Sequence, residues 1–212
     1  MSSPIGHVYL VDDNQDMLYY LSDMLRLNGY TVDTYSSPEF FLRESLDVSP
    51  AVLVLDMRMP GFGGLELQQR LDSLGRNTPI IFISGESDKD EIISAFTSGA
   101  IAFLWKPFAR EKLLEAINKG LELDKQRASK RVSFARLQRN FNTLSAREQE
   151  LLFLIIDGHT NKAIADRKNI QAATVKKHRA AIFEKFQIAN SAELIRMCKG
   201  LDLSFLRSEK TS

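Results

Sequence analysis

The stretch VLVLDMRMPG, residues 52–61, places an ionisable aspartate directly after four apolar residues. A short apolar run of this kind predicts a strand that is buried on both faces of a sheet. Asp56 stands at the carboxyl end of that strand, and Pro60-Gly61 indicates a turn shortly after it. A carboxylate in this position suggests a polar site at the edge of a sheet, so we asked whether other strands end in the same way.

Apolar runs alternate with helical patterns over the first 124 residues. Leu18, Leu21 and Leu25 recur at helical spacing, and Ser37-Pro38 is typical of an N-cap followed by proline at the first helical position. Strands separated by helices predict five βα units, an α/β fold with a five-stranded parallel sheet. The predicted strands are residues 8–11, 52–55, 80–83 and 101–104, with 30–35 as a weaker candidate.

Polar residues follow four of these strands. Because the carboxyl ends of parallel strands meet at one edge of a sheet, we expect these side chains to converge there. Each also has a structural explanation, since aspartates cap helices, serines begin loops and lysines are often solvated. Their common position at strand ends favours a shared site, formed by Asp12-Asp13, Asp56, Ser84 and Lys106-Pro107.

The residue types in this set suit phosphoryl chemistry. Three neighbouring carboxylates repel one another, which raises at least one pKa unless a cation compensates them. Mg²⁺ is a hard cation that prefers oxygen ligands and also binds phosphate. Asp56 can then act as the nucleophile that forms an acyl phosphate, while Lys106 and the Ser84 hydroxyl hold the phosphoryl oxygens.

Residues 5–123 resemble the receiver domain of two-component response regulators through Asp12-Asp13, LDMRMPG, ISG and FLWKPF. The resemblance implies a (βα)5 fold, phosphotransfer from a sensor histidine kinase, and Asp56 as phosphoacceptor. It also implies that Asp12, Asp13, Asp56 and the backbone carbonyl of Arg58 bind Mg²⁺.

The resemblance further implies a cis Lys106-Pro107 bond and a switch in which Ser84 moves toward the phosphate while Phe103 turns inward. For Phe103, simple core packing is an equally good interpretation. The output surface implied is the fourth helix, fifth strand and fifth helix, where relatives often dimerise. Ile92, Ile93 and Phe96 give the fourth helix an apolar stripe, most of which we expect to face the sheet.

Charge divides the chain into two parts. Residues 1–124 contain 10 Lys or Arg and 19 Asp or Glu, whereas residues 125–212 contain 18 Lys or Arg and 8 Asp or Glu. A basic second half predicts a polyanionic partner such as nucleic acid.

No run approaches the roughly 18 apolar residues of a membrane span, and residues 1–6 do not resemble a secretory signal, so we expect a cytoplasmic protein without a membrane partner. The single cysteine, Cys198, is interpreted as a buried thiol.

Between the two parts, residues 124–140 read as a helical linker, since no Pro or Gly interrupts residues 121–144. Its apolar positions fit either a short coiled coil in a dimer or packing against one of the domains.

Four short helices are predicted in the second part, residues 141–204. Ser145 and Glu148 have capping-box spacing, Gly158 ends that first helix, and Thr160 can cap the next. A third helix is predicted over residues 172–185 and a fourth from residue 190 or 191. Two short helices joined by a tight turn in a basic domain indicate a helix-turn-helix that binds the major groove of double-stranded DNA.

The third helix has an inner and an outer face. At 100° per residue, Val175, Ile182 and Phe186 lie on the face that should pack inside. Lys176 and Lys177 lie outside and are candidates for base edges or phosphates, although a merely solvated face is the alternative. Arg179 lies nearer the packed side, and its side chain suits a contact with the phosphate backbone of DNA. The candidate DNA-binding residues are Thr174, Lys176, Lys177, Arg179 and Ala180.

Residues 138–200 resemble the LuxR-type DNA-binding domain, so nearly the whole chain is similar to a FixJ-like response regulator. Three departures from the family pattern involve four positions. Lys168-Asn169 replaces Leu-Gly, Gln171 replaces a serine cap at a cost of about 1 kcal/mol, and Ala180 offers no hydrogen bond. The implied function is a DNA-binding transcriptional regulator and not an enzyme. Phosphorylation of Asp56 would activate it through a homodimer.

Two alternatives are compatible with the same residues. An aspartyl-phosphate phosphatase would use the same nucleophile, but such enzymes often carry an acid/base carboxylate two residues later, where this chain has Arg58. A regulator that acts independently of phosphorylation would also retain a competent site.

Overall fold

The computed structural model describes residues 4–46, 48–201, 203, 204 and 206. The chain divides into two compact units between Ala128 and Ser129. The predicted DNA-binding segment, 141–204, includes residue 202, which lies outside the described residues. Residues 1–3, which belong to the amino-terminal stretch compared with a secretory signal, also lie outside them. Each unit is built around its own hydrophobic cores.

A five-stranded parallel sheet in the order β2-β1-β3-β4-β5 forms the centre of the first unit. The predicted α/β fold is therefore confirmed. Strands β1, β3 and β4 are buried along their whole length, which explains why they read as uninterrupted apolar runs. The strands are His7–Val11 (β1), Thr31–Tyr35 (β2), Ala51–Asp56 (β3), Ile80–Ser84 (β4) and Ala102–Trp105 (β5).

Five helices accompany these strands, and side chains cap three of them at the amino end. Asn14 and Ser37 accept backbone N–H groups at the starts of α1 and α2, and Asp88 forms a capping box with Glu91 at α4. The helices are Gln15–Leu27 (α1), Pro38–Leu42 (α2), Gly64–Ser73 (α3), Lys89–Thr97 (α4) and Arg110–Asn142 (α5).

The apolar stripe of α4 lies differently from our expectation. Ile93 and Phe96 are 62% and 47% exposed, whereas Ala95 is fully buried. The prediction that most of the stripe faces the sheet is therefore wrong. The small residue Ala95 occupies the buried position of α4, and the larger side chains of Ile93 and Phe96 near it are exposed to solvent.

Helix α5 runs without interruption through the predicted linker and across the division between the two units. Its Asp124 is buried and accepts hydrogen bonds from Ser49 Oγ at 2.7 Å and from the Ala51 amide at 3.0 Å. Arg127 donates to the carbonyl oxygen of Asn77 at 2.9 Å. The first unit therefore holds the helix through residues that the sequence assigned to the linker.

Over its described residues, the second unit contains the end of α5 and four shorter helices, which pack around an apolar core. Ser145 and Glu148 form the predicted capping box, and Thr160 caps the next helix as predicted. Asn190 caps the last of these four helices, which begins where the sequence placed it. Gly158 has a φ of 83°, a left-handed conformation that favours glycine where the first of these helices ends. The helices are Ala146–Ile156 (α6), Asn161–Lys168 (α7), Ala172–Phe186 (α8) and Ser191–Cys198 (α9).

Candidate functional site

Three aspartates gather at the carboxyl edge of the sheet. Asp12 and Asp13 directly follow β1, and Asp56 is the last residue of β3, the strand beside it. One carboxylate oxygen from each residue lies within 4.8 Å of the other two. Asp12 and Asp56 are buried, whereas Asp13 is exposed. This cluster of hard oxygen donors fits a divalent cation such as Mg²⁺, with one side open to solvent.

Lys106, from the end of β5, reaches into this cluster from the other side of the sheet edge. Its Nζ lies 2.7 Å from Asp12 Oδ2 and 3.1 Å from Asp56 Oδ1. The Lys106-Pro107 peptide bond is cis, as the family resemblance implies. Four of the side chains that the sequence expected to converge here, Asp12, Asp13, Asp56 and Lys106, therefore lie in one cluster.

Burial and charge perturb both ends of this contact. Burial and the negative charge of Asp12 raise the pKa of Asp56 from 3.8 to about 6, although Lys106 acts in the opposite direction. Burial alone would lower the pKa of Lys106, but the hydrogen bonds and charges of Asp12 and Asp56 outweigh it, and the pKa is raised. The lysine therefore stays charged over the physiological pH range, while the repulsion between the aspartates is only partly relieved.

Ser84, the last residue of β4, is fully buried. Its Oγ donates to the carbonyl oxygen of Glu86 at 2.7 Å and accepts from Ser87 Oγ at 3.0 Å. The hydroxyl is thus bound within the loop that follows its own strand. A movement toward a phosphoryl group would require it to break the bond to Glu86.

Phe103 and Trp105 lie on one face of β5, since alternate residues of a strand point the same way. Their ring centroids are 5.3 Å apart in an edge-on arrangement. Phe103 is half-buried against the core, while Trp105 is 48% exposed. Trp105 is not among the predicted site residues, although the period of two along the strand would have indicated this pair.

The side chain of Arg58 makes contacts that the sequence did not indicate. Its Nη2 lies 3.0 Å from Glu91 Oε2 on α4, and its Nε donates to the Glu86 carbonyl oxygen at 3.4 Å. Position 58 therefore presents a paired guanidinium and not the carboxylate that a phosphatase of this type would use. That its backbone carbonyl binds a cation stays a prediction.

Gly64 permits a close approach beneath β3, the strand that ends at Asp56. A Cβ at this position would lie 2.4 Å from the carbonyl oxygen of Asp56 and 2.9 Å from the Phe82 ring. No ordinary side chain fits there without a backbone shift. The glycine that begins α3 thus helps to set the position of the backbone that carries Asp56.

In the second unit, α8 divides into the two predicted faces. Val175, Ile182 and Phe186 are fully buried in its core. Among the candidate DNA-binding residues, Thr174 is half-buried, while Lys176, Lys177 and Ala180 are exposed. The outer face therefore presents two lysines to solvent.

Arg179 is placed differently from these lysines. Its guanidinium donates to the His159 carbonyl oxygen at 3.4 Å and to Ser191 Oγ, and it lies 5.6 Å from the centre of the Phe183 ring. Burial lowers its pKa. The side chain thus ties α8 to the start of α9, a contact that helix periodicity alone cannot predict.

The turn between α7 and α8 contains two of the three departures from the family pattern, at Asn169 and at Gln171. Asn169 adopts a left-handed conformation with φ 49°, so asparagine takes the place of the usual glycine. Gln171 occupies the N-cap of α8 without a side-chain hydrogen bond to the helix. The helix forms despite the missing cap.

Comparison with known proteins agrees with both halves of this architecture. Residues 8–118 match the response regulator receiver domain, and residues 142–198 match the LuxR family of bacterial regulatory proteins. The chain is 37% identical over 201 residues to the response regulator protein TodT of Pseudomonas putida, covering 95% of this chain and 88% of TodT. It is 36% identical over 191 residues to the transcriptional regulatory protein FixJ of Rhizobium meliloti, covering 90% of this chain and 93% of FixJ.

Two solved structures resemble the whole chain. The response regulator StyR aligns with a TM-score of 0.77 and 37% identity, covering 94% of this chain and 100% of that one. Full-length FixJ from B. japonicum aligns with a TM-score of 0.58 and 29% identity, covering 92% and 96%.

A receiver fold with its acidic cluster, followed by a helix-turn-helix unit, defines a response regulator that acts on DNA. The chain belongs to the FixJ-type family of two-component transcriptional regulators. Its receiver domain implies a histidine kinase as partner, and its LuxR-type domain implies DNA binding. Among the helices that the structure describes, none has the length and apolar character needed to cross a membrane.

Proposed function

We propose that a sensor histidine kinase phosphorylates Asp56 and that this modification controls DNA binding by the second domain. The observation that carries the proposal is the position of Lys106 Nζ. It lies 2.7 Å from Asp12 Oδ2 and 3.1 Å from Asp56 Oδ1, and Asp13 supplies a third carboxylate to the cluster. An ammonium group in this position neutralises charge that develops when phosphate is added to Asp56.

In the proposed reaction, a carboxylate oxygen of Asp56 attacks the phosphorus of a phosphohistidine. The new P–O bond forms as the P–N bond breaks, and the histidine nitrogen leaves with the electron pair. The reactive form of Asp56 is the carboxylate, which its pKa of about 6 leaves predominant at neutral pH. Lys106 holds a phosphoryl oxygen of the product.

Asp12, Asp13, Asp56 and the backbone carbonyl of Arg58 are the proposed ligands of Mg²⁺. The ion would offset the repulsion between the carboxylates and withdraw charge from the phosphoryl oxygens. Three carboxylate oxygens within 4.8 Å of one another support this assignment.

Ser84 and Phe103 are the proposed switch. Ser84 Oγ would exchange its bond to the Glu86 carbonyl for one to a phosphoryl oxygen, and Phe103 would then turn further into the core. The partly buried Phe103 ring, in contact with Trp105, offers a route by which this movement reaches the surface of β5.

The second domain is proposed to bind the major groove of double-stranded DNA through α8. Thr174, Lys176, Lys177 and Ala180 would face the groove, and the exposure of the two lysines supports this. Arg179, which is bound within the domain, would at most reach the edge of the phosphate backbone.

The proposed organisation is a receiver over residues 5–123, a helical linker over 124–140 and the DNA-binding domain over 141–204. Phosphorylation would shift the population toward a homodimer that presents two recognition helices to adjacent half-sites. The exposed Ile93 and Phe96 of α4 support a contact surface on the receiver. Such a regulator would act in the cytoplasm, where bacterial DNA lies.

Phosphorylation can be tested on the full chain with acetyl phosphate and Mg²⁺, followed on a phosphate-affinity gel. We expect a retarded, hydroxylamine-sensitive band for the wild type and for Asp23→Asn, an exposed control on α1. Asp56→Asn should show none. A retarded band that persists in Asp56→Asn would contradict the assignment of the phosphoacceptor.

Control by phosphorylation is a separate question, which mass and DNA affinity address together. Beryllofluoride with Mg²⁺ should raise the light-scattering mass to that of a dimer and tighten binding to promoter DNA, in the wild type only. If neither quantity changes although Asp56 is phosphorylated, the protein acts independently of this modification.

A further inference from the structure

A polar cleft lies at the opposite edge of the sheet from Asp56, beside the first residue of β4. Its volume is about 230 Å³. The walls come from α3, the loop between α3 and β4, the end of α4, and α5. Its lining includes Gln68, Asp72, Arg76, Ser98 and Arg127.

Two guanidinium groups line this cleft. Arg76 donates to the Leu42 carbonyl oxygen at 3.2 Å, and Arg127 donates to the Asn77 carbonyl oxygen at 2.9 Å. Among the described residues, no carboxylate forms an ion pair with either of them or takes up their remaining donors. Both side chains are only partly exposed. The cleft therefore presents two guanidinium groups, neither of which forms an ion pair within the described residues.

Asp72 provides the opposite charge on the same wall, which Gln68 also lines. Asp72, one turn before Arg76 on the chain, is exposed, and its carboxylate has no ion pair within the described part of the molecule. Gln68 is 2% exposed, and its Oε1 is buried without a hydrogen-bond partner. A buried amide oxygen without a donor is costly, so the cleft wall at Gln68 is held at the expense of one unpaired oxygen.

The orientation of the Gln68 amide is fixed by its neighbours. Nε2 donates to the carbonyl oxygens of Ala95 and Ser98, at 3.1 and 2.9 Å. Turning the amide over would set its oxygen against two other oxygens, so Oε1 remains the acceptor. The cleft thus combines two guanidinium groups that bind carboxylates with one carboxylate, Asp72, that accepts from an ammonium group.

We propose that this cleft binds an acidic α-amino acid. Its two carboxylates would pair with Arg76 and Arg127, and its ammonium group would donate to Asp72. The two arginines and Asp72 carry a net charge of +1, which matches the net charge of −1 on glutamate or aspartate at neutral pH. The volume admits a molecule of this size.

Binding at this place would act on elements that carry the output surface. Gln68 holds the last turn of α4, and Arg127 lies on α5 just before the chain enters the second unit. A ligand that joins these side chains would restrain the end of α4 and this part of α5 together. The receiver would then respond to a metabolite as well as to phosphorylation.

Calorimetric titration of the full chain with L-glutamate and L-aspartate tests the proposal. The site is open and its charges are partly solvated, so we expect a Kd on the order of 0.1 to 1 mM. Glutarate, which lacks the ammonium group, and L-glutamine, which lacks the second carboxylate, should each bind at least about tenfold more weakly. Absence of binding by both acidic amino acids, or equal binding of glutarate, would overturn the proposal.

Three variants locate the site. Arg127→Gln and Asp72→Asn should each weaken glutamate binding about tenfold or more, whereas Arg136→Gln, an exposed arginine on the same helix, should not. An unchanged affinity in both of the first two variants would place the ligand elsewhere. Asp56→Asn should bind glutamate normally, so this result is independent of the proposed phosphorylation. Continued phosphorylation of Asp56 in the cleft variants would show that they remain folded.

Discussion

Nζ of Lys106 lies 3.1 Å from Oδ1 of Asp56, although fifty residues separate the two along the chain. The contact does not fully compensate the buried carboxylate, since the pKa of Asp56 is still raised to about 6 by burial and by Asp12. Burial and repulsion from Asp12 therefore leave the folded protein with an unfavourable charge at this candidate site. That repulsion has measurable consequences for stability.

Asp56→Asn should stabilise the receiver in metal-free buffer at pH 7.5, by about 1–3 kcal/mol. A carboxyl whose pKa is raised in the folded state contributes stability that is present below its ordinary value of 3.8 and is lost as pH rises through about 6. Asparagine avoids that loss. Urea unfolding followed by fluorescence of Trp105, the only tryptophan of the chain, measures this unit.

The advantage of Asp56→Asn should shrink as pH is lowered from 7.5 toward 5, and added Mg²⁺ should stabilise the wild type more than the variant. Asp23→Asn, at an exposed position of α1, serves as the control and should be neutral. A destabilised Asp56→Asn protein would mean that the contact with Lys106 outweighs the cost of burial.

Gly64→Ala should destabilise the receiver by about 1–3 kcal/mol, because its Cβ would lie 2.4 Å from the Asp56 carbonyl oxygen and the backbone must shift. It should also slow phosphorylation by acetyl phosphate. Gly85→Ala is the matched control, since nothing lies within 4 Å of its added Cβ. If Gly64→Ala and Gly85→Ala have equal free energies of unfolding, the first residues of α3 shift without cost to the fold.

Glu148→Gln should weaken the second unit in a pH-dependent manner. Burial alone would raise the pKa of Glu148, but the hydrogen bonds from Lys185 and Ser145 outweigh it, and the pKa is lowered. Its stabilisation is therefore present above the ordinary value of 4.5 and is lost as pH falls through the folded value. Thermal unfolding by circular dichroism at pH 7 and pH 4 measures the difference.

For this comparison Glu184→Gln is the control, because Glu184 is exposed on α8. It should be close to neutral at both pH values. A Glu148→Gln deficit that is the same at pH 4 as at pH 7 would point to lost packing and not to the charge.

Lys177→Ala should weaken DNA binding and reduce the slope of log affinity against log salt by about 1. The exposed side chain makes no contact that the fold requires, so the unfolding midpoint should not move. Fluorescence anisotropy with promoter DNA at several salt concentrations measures the slope. Lys119→Ala, exposed on the receiver part of α5, should leave it unchanged.

Arg179→Ala should behave differently, because its guanidinium binds the His159 carbonyl and Ser191 Oγ inside the domain. We expect a loss of about 1–3 kcal/mol in stability of the second unit. If Arg179→Ala instead retains its stability and loses DNA affinity, the side chain leaves these partners to contact the phosphate backbone.

The two folds were predictable because their signals are local. Apolar runs buried on both faces gave the strands, and the caps at Ser37, Ser145 and Thr160 gave the helix starts. The position of each polar residue relative to its strand also predicted that Asp12, Asp56 and Lys106 would meet, since parallel strands share one edge.

By itself, then, the sequence determined the class of fold, the members of the acidic cluster and the inner face of α8. Tertiary structure decided which side chains are already committed to partners, such as Arg58 with Glu91, Arg179 with Ser191, and Asp124 with Ser49. It also decided that Ala95, and not Ile93 or Phe96, faces the sheet. Periodicity fixes only the direction of a side chain from its own helix or strand. What that side chain meets depends on distant segments, whose approach follows from close packing of the whole unit.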